Sequence, residues 1–147
     1  MFRKKFLFLG VFLTACSSTT NQMLLQDTEA AVKFFEDEMN FKTNAHGVKE
    51  VLFSKNVTIV DVRDEQSYQK GHIPGAINIP VNKYKFDGTE KTFPGLRKDR
   101  FNYVYCYTHY CNLGTKAAKA FASAGYPVKE IQGGFDAWQE ENKGGVN

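Results

Sequence analysis

The chain lacks an internal repeat, and no apolar run in it reaches the roughly 18 residues a membrane-spanning helix needs. No basic patch interleaved with aromatics is present, so nothing in the sequence argues for nucleic acid as a partner. Cysteine and histidine are scarce, at three each. Among them Cys106, Cys111, His109 and His72 show no paired ligand spacing of the zinc type, so neither a metal nor a cofactor is expected.

What is present begins with an address. Arg3, Lys4 and Lys5 form a basic start, Phe6 to Leu13 an apolar stretch too short to cross a bilayer, and Leu13-Thr14-Ala15-Cys16 a small-residue site ending in cysteine. This segment resembles the bacterial lipobox. The resemblance implies cleavage before Cys16, lipidation of its sulfur and acylation of its amine. More than one acyl chain on one residue makes a stable anchor. Residues 1–15 therefore read as a lipoprotein signal peptide, 16–26 as lipid anchor and tether, and 27–147 as a single domain. Ser17, with no aspartate after the cysteine, resembles the outer-membrane sorting pattern, which implies the bacterial cell envelope, facing the periplasm. An ordinary secretory signal is the alternative. The net charge of +3 counts 19 basic against 16 acidic residues. Removing residues 1–15 removes three basic residues and no acidic one, leaving 16 against 16, so the basic character belongs to the leader.

Asp27-Thr28-Glu29 opens a helix by capping logic, with Ala30, Ala31, Phe34, Phe35 and Met39 as an inward stripe. Phe41-Lys42-Thr43 reads as a short strand and 45–53 as a helix. The run Asn56 to Val62 is nearly continuous in apolar β-formers, the pattern of a parallel strand buried on both faces. Asp64 caps a short helix, Glu65 to Lys70, which Gly71 stops. Ala76 to Pro80 is a strand, 81–101 a long polar and aromatic loop, and 102–106 a buried strand. Leu113, Ala117, Ala120, Phe121 and Ala124 share one helix face that Gly125 ends. Pro127 to Ile131 is a last strand and Phe135 to Glu141 a last helix. Alternating strands and helices predict an α/β fold with a parallel sheet covered on both faces.

The strand Tyr103-Val104-Tyr105-Cys106 delivers a cysteine into a loop that leads to a helix N-terminus. Amide N–H groups and a positive dipole end aimed at a thiol favour the thiolate, by up to about 2 kcal/mol in a partly buried setting. Cys106 is thus the candidate nucleophile, with an inert buried cysteine as the alternative. Cys111 lies five positions on, near enough for a disulfide or for a free dithiol pair.

Three ordered segments, DVRDEQSYQKGHIPGAINIP at 61–80, YCYTHYCNLGTKAAKAFASAGYPV at 105–128 and EIQGGFDAW at 130–138, together resemble the rhodanese domain over residues 40–142. The resemblance implies a five-stranded parallel sheet with helices on both sides. It also implies a sulfurtransferase that carries sulfane sulfur as a persulfide on Cys106, taking it from a small donor such as thiosulfate and passing it to a thiol acceptor. Tyr107, Thr108, His109, Tyr110, Cys111 and Asn112 would then form the anion-binding loop, their amides cradling the donor. Tyr107 and Tyr110 would wall its mouth.

This loop departs from the family pattern in having no arginine and apparent extra length, so classical thiosulfate chemistry would be weak. Lys116 is a candidate to restore some of the missing charge, with a surface lysine as the alternative. Cys111 is a candidate resolving thiol, which would make the site a dithiol redox centre. A non-catalytic module that uses the scaffold to recognise an envelope protein is the third reading. His109 reads as a donor or a solvated loop residue, His72 as a hydrogen-bonded support, Trp138 as core, and Asp61 and Arg63 as scaffold charges paired with neighbouring loops.

Overall fold

The structure, a computed structural model, describes the backbone of residues 16–143 and the side chains of 27–143. The leader expected over 1–15 and the lipid-bearing sulfur expected at Cys16 lie outside this description. The described residues divide into one unit ending at Glu36 and a second beginning at Asp37.

The first helix, α1, runs Cys16–Phe41. It starts well before the Asp27 cap, so the segment read as a tether is helical backbone. Its apolar stripe is not buried: Phe34 and Phe35 are more than half exposed and Met39 is 71% exposed. An amphipathic period shows that a face favours cover, and carries no information on what covers it.

From Asp37 the order is β1 (Lys42–Thr43), α2 (Ala45–Val51), β2 (Val57–Asp61), α3 (Glu65–Lys70), β3 (Ile77–Asn78), β4 (Phe101–Tyr105), α4 (Leu113–Ser123), β5 (Val128–Ile131) and α5 (Gly134–Lys143). The five strands form one sheet in the order β1-β5-β4-β2-β3, every pairing parallel. This is the α/β architecture that the apolar strand runs predict.

The two-residue period of β4 sorts side chains between two cores. Tyr103 and Tyr105 join Ala45, Val48, Ile59, Ile73, Ile131 and Trp138 on one face. Val104 and Cys106 join Val60, Val62, Ile79, Ala117, Ala120 and Phe121 on the other. α4 can lie close to the sheet because the face it presents is small: Gly114, Ala117 and Ala120 are all buried.

The long connection from 81 to 100 is held by its own apolar residues. Phe93 is buried edge-on against Phe121, ring centroids 4.5 Å apart. Burying one such ring is worth about 1.5–3 kcal/mol. Asn102, fully buried, closes the loop by accepting from Arg97 N–H at 3.0 Å and donating to the Arg97 and Pro127 carbonyls at 2.7 and 2.9 Å.

No described helix is long and apolar enough to cross a membrane.

Candidate active site

Asp61 ends β2 beside the Tyr105 end of β4, so both chains turn out of the sheet at the same level. Asp61 and Arg63, expected to pair with neighbouring loops, pair chiefly with each other. Arg63 donates from Nε and Nη2 to the Asp61 carboxylate at 3.0 and 2.6 Å, and from Nη2 to the Gly71 carbonyl at 2.6 Å. A single intervening residue, Val62, separates the charges, and the backbone bends there, with Arg63 N–H donating to Asp61 Oδ1 at 2.9 Å. The guanidinium also lies 4.0 Å from the Phe135 ring centre. Burial lowers its proton affinity, but the Asp61 carboxylate outweighs that and holds it above its ordinary value. Burial pushes the Tyr105 hydroxyl far above the usual phenol range, and its oxygen accepts from Ile73 N–H at 3.1 Å.

Cys106 follows β4 directly and is 3% exposed. Two helix starts converge on it. At α5, Phe135 N–H donates to the Cys106 carbonyl at 2.9 Å and Asp136 N–H to the Tyr107 carbonyl at 3.0 Å. Gly134 makes this approach feasible: its φ is +63°, and a Cβ there would stand 2.7 Å from the Cys106 oxygen. At α4, a Cβ on Gly114 would stand 3.7 Å from Cys106 Sγ and 3.2 Å from Glu130 Oε1. Gly114, Gly134 and Glu130 are site residues that the sequence reading passed over. All three sit inside the motif segments, and the glycines carry a local backbone signal, but the closeness of Glu130 to the sulfur enters only through the β4–β5 register, which sets it opposite Val104.

Cys106 and Cys111 are joined as a disulfide with Cα atoms 6.4 Å apart. Cys106 Sγ also lies 3.1 Å from the Cys111 carbonyl oxygen, a contact a reduced thiol would make as donor. In this closed loop the sulfur meets a carbonyl oxygen. Cys111 N–H donates to the Thr108 carbonyl at 3.1 Å and Tyr110 N–H to Thr108 Oγ1 at 3.0 Å, so both are committed inside the loop.

A pocket of about 240 Å³ opens beside the disulfide, lined by Lys42, Thr108, His109, Asn112, Glu130 and Gln132 among others. Five of the six predicted loop residues, Thr108 to Asn112, line it. Tyr107 does not: its hydroxyl donates to Asp64 Oδ2 on the far side of the loop and sits 3.4 Å from Ser67 Oγ. That donation, with those of the Ser67 amide and hydroxyl, holds the Asp64 carboxyl well below the usual carboxylate range. Tyr110 is 99% exposed and gives the mouth no packed wall. Lys116 lines a different, larger groove of about 660 Å³ with Tyr84, Phe86 and Lys119, and so adds no charge to the cysteine pocket. His72 Nδ1–H donates to the Tyr68 carbonyl at 2.9 Å and the ring stacks on that of Tyr68, the supporting role expected of it. Among the described residues no group of three or more His, Cys, Asp or Glu could hold a metal ion.

Residues 44–141 match the family described as "Rhodanese-like domain". The chain is 36% identical over 91 residues to the thiosulfate sulfurtransferase GlpE of Shewanella oneidensis, covering 60% of this chain and 82% of that one. It is 40% identical over 83 residues to an HTH-type transcriptional regulator of Mycobacterium tuberculosis, 56% of this chain but only 34% of the regulator. The matched stretch thus spans about a third of that relative's length. A crystal structure of a Bacillus halodurans protein superposes with a TM-score of 0.67 at 34% identity, over 78% of this chain and 82% of the other.

Proposed function

The chain belongs to the rhodanese-like domain family, and on that premise we propose that it is a sulfurtransferase carrying sulfane sulfur on Cys106 and passing it to a thiol acceptor. The observation that carries this reading is the position of one sulfur: at the carboxyl end of the central strand, fixed by α5 from behind, beside a pocket sized for a small donor. The likeness to relatives named thiosulfate sulfurtransferase supports it.

The chemistry begins with reduction. Cys111 is half-buried while Cys106 is 3% exposed, so an external thiolate attacks Cys111 Sγ. The S–S bond breaks, Cys106 leaves as thiolate, and a second thiol of the reductant frees Cys111. Cys106 thiolate then attacks the outer sulfur of the donor, whose own S–S bond breaks with the electron pair going to the leaving group. An acceptor thiolate takes the outer sulfur of the Cys106 persulfide and restores the Cys106 thiolate. Mass spectrometry of reduced protein incubated with thiosulfate or polysulfide should show one added sulfur atom on Cys106. No adduct with any sulfane donor would overturn the assignment.

The Cys106–Cys111 disulfide favours a second reading, a dithiol redox protein. Cys111 thiolate attacking the inner sulfur of a Cys106 persulfide would form the disulfide and release hydrosulfide, with no electrons left over. Cys111→Ser separates the readings: a sulfurtransferase keeps transfer to external thiols, whereas a dithiol cycle stops. Cys106→Ser without loss of cellular function would instead favour the non-catalytic module with an envelope partner.

The proposed location is the bacterial cell envelope, with the protein tied to the membrane by lipid on Cys16. Support comes from the sequence alone, in the basic start, short apolar stretch and Leu13-Thr14-Ala15-Cys16 site. Metabolic labelling with palmitate should mark the full chain and fail for Cys16→Ala.

A further inference from the structure

We propose that Glu130 makes the Cys106 pocket select sulfane donors carrying at most one negative charge, against dianions such as thiosulfate. This deepens the sulfurtransferase reading and rests on it.

The balance of charge around the sulfur carries the inference. Glu130 lies on β5 directly opposite Val104 and is half-buried in the wall of the pocket. Its Oε1 accepts from Thr115 Oγ1 at 2.7 Å, a neutral partner that fixes the carboxylate without cancelling its charge. Oε1 and Cys106 Sγ face each other across the missing side chain of Gly114. The distances from that point, 3.2 and 3.7 Å, limit their separation to at most about 7 Å.

Among the described residues, the cations around the pocket are engaged elsewhere. Lys42, the lysine in the pocket wall, is ion-paired with Glu38. Arg63 is bound to Asp61, and Arg97 and Arg100 to Asp99. Lys116 and Lys119 line the separate groove. The Cys111 carbonyl oxygen, 3.1 Å from Sγ, adds another negative end. His109 on the rim is exposed. An anion-binding loop of ordinary charge would welcome two negative charges, but this one presents a fixed carboxylate to them. A unit charge facing a carboxylate across about 7 Å, at a dielectric between protein surface and water, weakens binding by about fivefold to tenfold.

Two donors isolate this effect because they react alike and differ by one charge. Cys106 thiolate attacking the outer sulfur of thiosulfate breaks its S–S bond, gives the persulfide and releases sulfite. The same attack on methanethiosulfonate anion gives the same persulfide and releases methanesulfinate. Each step conserves charge and needs no further reductant once the disulfide is open.

The experiment measures kcat/KM for both donors, with one thiol acceptor and at one pH, in reduced full-length protein and in Glu130→Gln. Glutamine can still accept from Thr115, so the wall keeps its shape. The thiosulfate value should rise in Glu130→Gln by about fivefold to tenfold more than the methanethiosulfonate value, with the change residing mainly in KM. Added salt should narrow the difference between donors in the wild type and affect it less in the variant. An equal change for the two donors, or none, would overturn the selectivity while leaving the sulfurtransferase reading standing. Failure of both donors to load Cys106 in either protein would overturn that reading, and this inference with it.

Discussion

At the scale of single residues, the site depends on charges that the chain satisfies before any substrate arrives. The Asp61–Arg63 pair lies almost wholly out of water, with Asp61 fully buried and Arg63 4% exposed. Removing one partner leaves the other charge buried and unpaired, which costs far more than the pair itself contributes. Arg63→Met should therefore lower unfolding free energy by about 3–5 kcal/mol, read as a fall in urea midpoint. Replacing both residues with apolar ones of similar volume should recover much of it. Asp64 behaves differently because it is a surface cap. Its folded-state proton affinity is depressed by Tyr107 and Ser67, so its contribution is complete above the unfolded value of about 3.9 and is lost as pH falls towards the folded value. Asp64→Asn should be less stable than wild type at neutral pH, and the gap should begin to close only below the unfolded value of about 3.9 and keep narrowing as pH falls towards the folded one. Curves that stay parallel across that range would show that the carboxylate's charge is not what matters. The Asp64 cap and the placement of Cys106 were legible in the sequence, since both depend on neighbours along the chain. Glu130 was not, because its closeness to the sulfur is set by strand register across a sequence gap.

Elements show the same division more sharply. β2 and β4 could be read directly because a strand buried on both faces must be apolar at successive positions. α3 could be read to its ends, Glu65 and Lys70, because its cap and its stopping glycine are local chemistry. The inward stripe assigned to α1 failed for the opposite reason: periodicity describes a face, and burial depends on what reaches it. The α5 start lies between these cases. Adjacent glycines such as Gly133 and Gly134 mark a turn, but only the structure shows that Gly134 lets two amides reach the Cys106 and Tyr107 carbonyls. Alanine there would meet the Cys106 oxygen and adopt a φ that L side chains avoid. Gly134→Ala should destabilise by more than about 1 kcal/mol. It should also slow persulfide formation in proportion to lost loop order, measured by hydrogen exchange at Phe135 and Asp136. Unchanged protection at those two amides would show that the helix start does not clamp the loop.

For the molecule as a whole, the decisive question is whether the fold tolerates opening its active-site disulfide. The bridge closes a small loop, Cys106 to Cys111, at the carboxyl end of the central strand of a sheet packed on both faces. Chain-entropy reasoning gives a bridge over so few residues about 2 kcal/mol of stabilisation. Domains of this size commonly have about 5–15 kcal/mol in total. The buried rings of Phe93, Phe121 and Tyr126, and the strands beneath them, owe nothing to the bridge, and both helix starts that hold Cys106 bond to its backbone or pack beside it rather than to Cys111. Reduction should therefore lower the urea midpoint by an amount equivalent to about 2 kcal/mol, leave the slope unchanged and leave the protein folded. A reduced state that survives is what either chemistry at Cys106 requires, since the thiolate must be released without releasing the sheet that aims it. Unfolding on addition of dithiothreitol alone would reverse the conclusion. It would make the bridge a structural staple and leave Cys106 no state in which to accept sulfur.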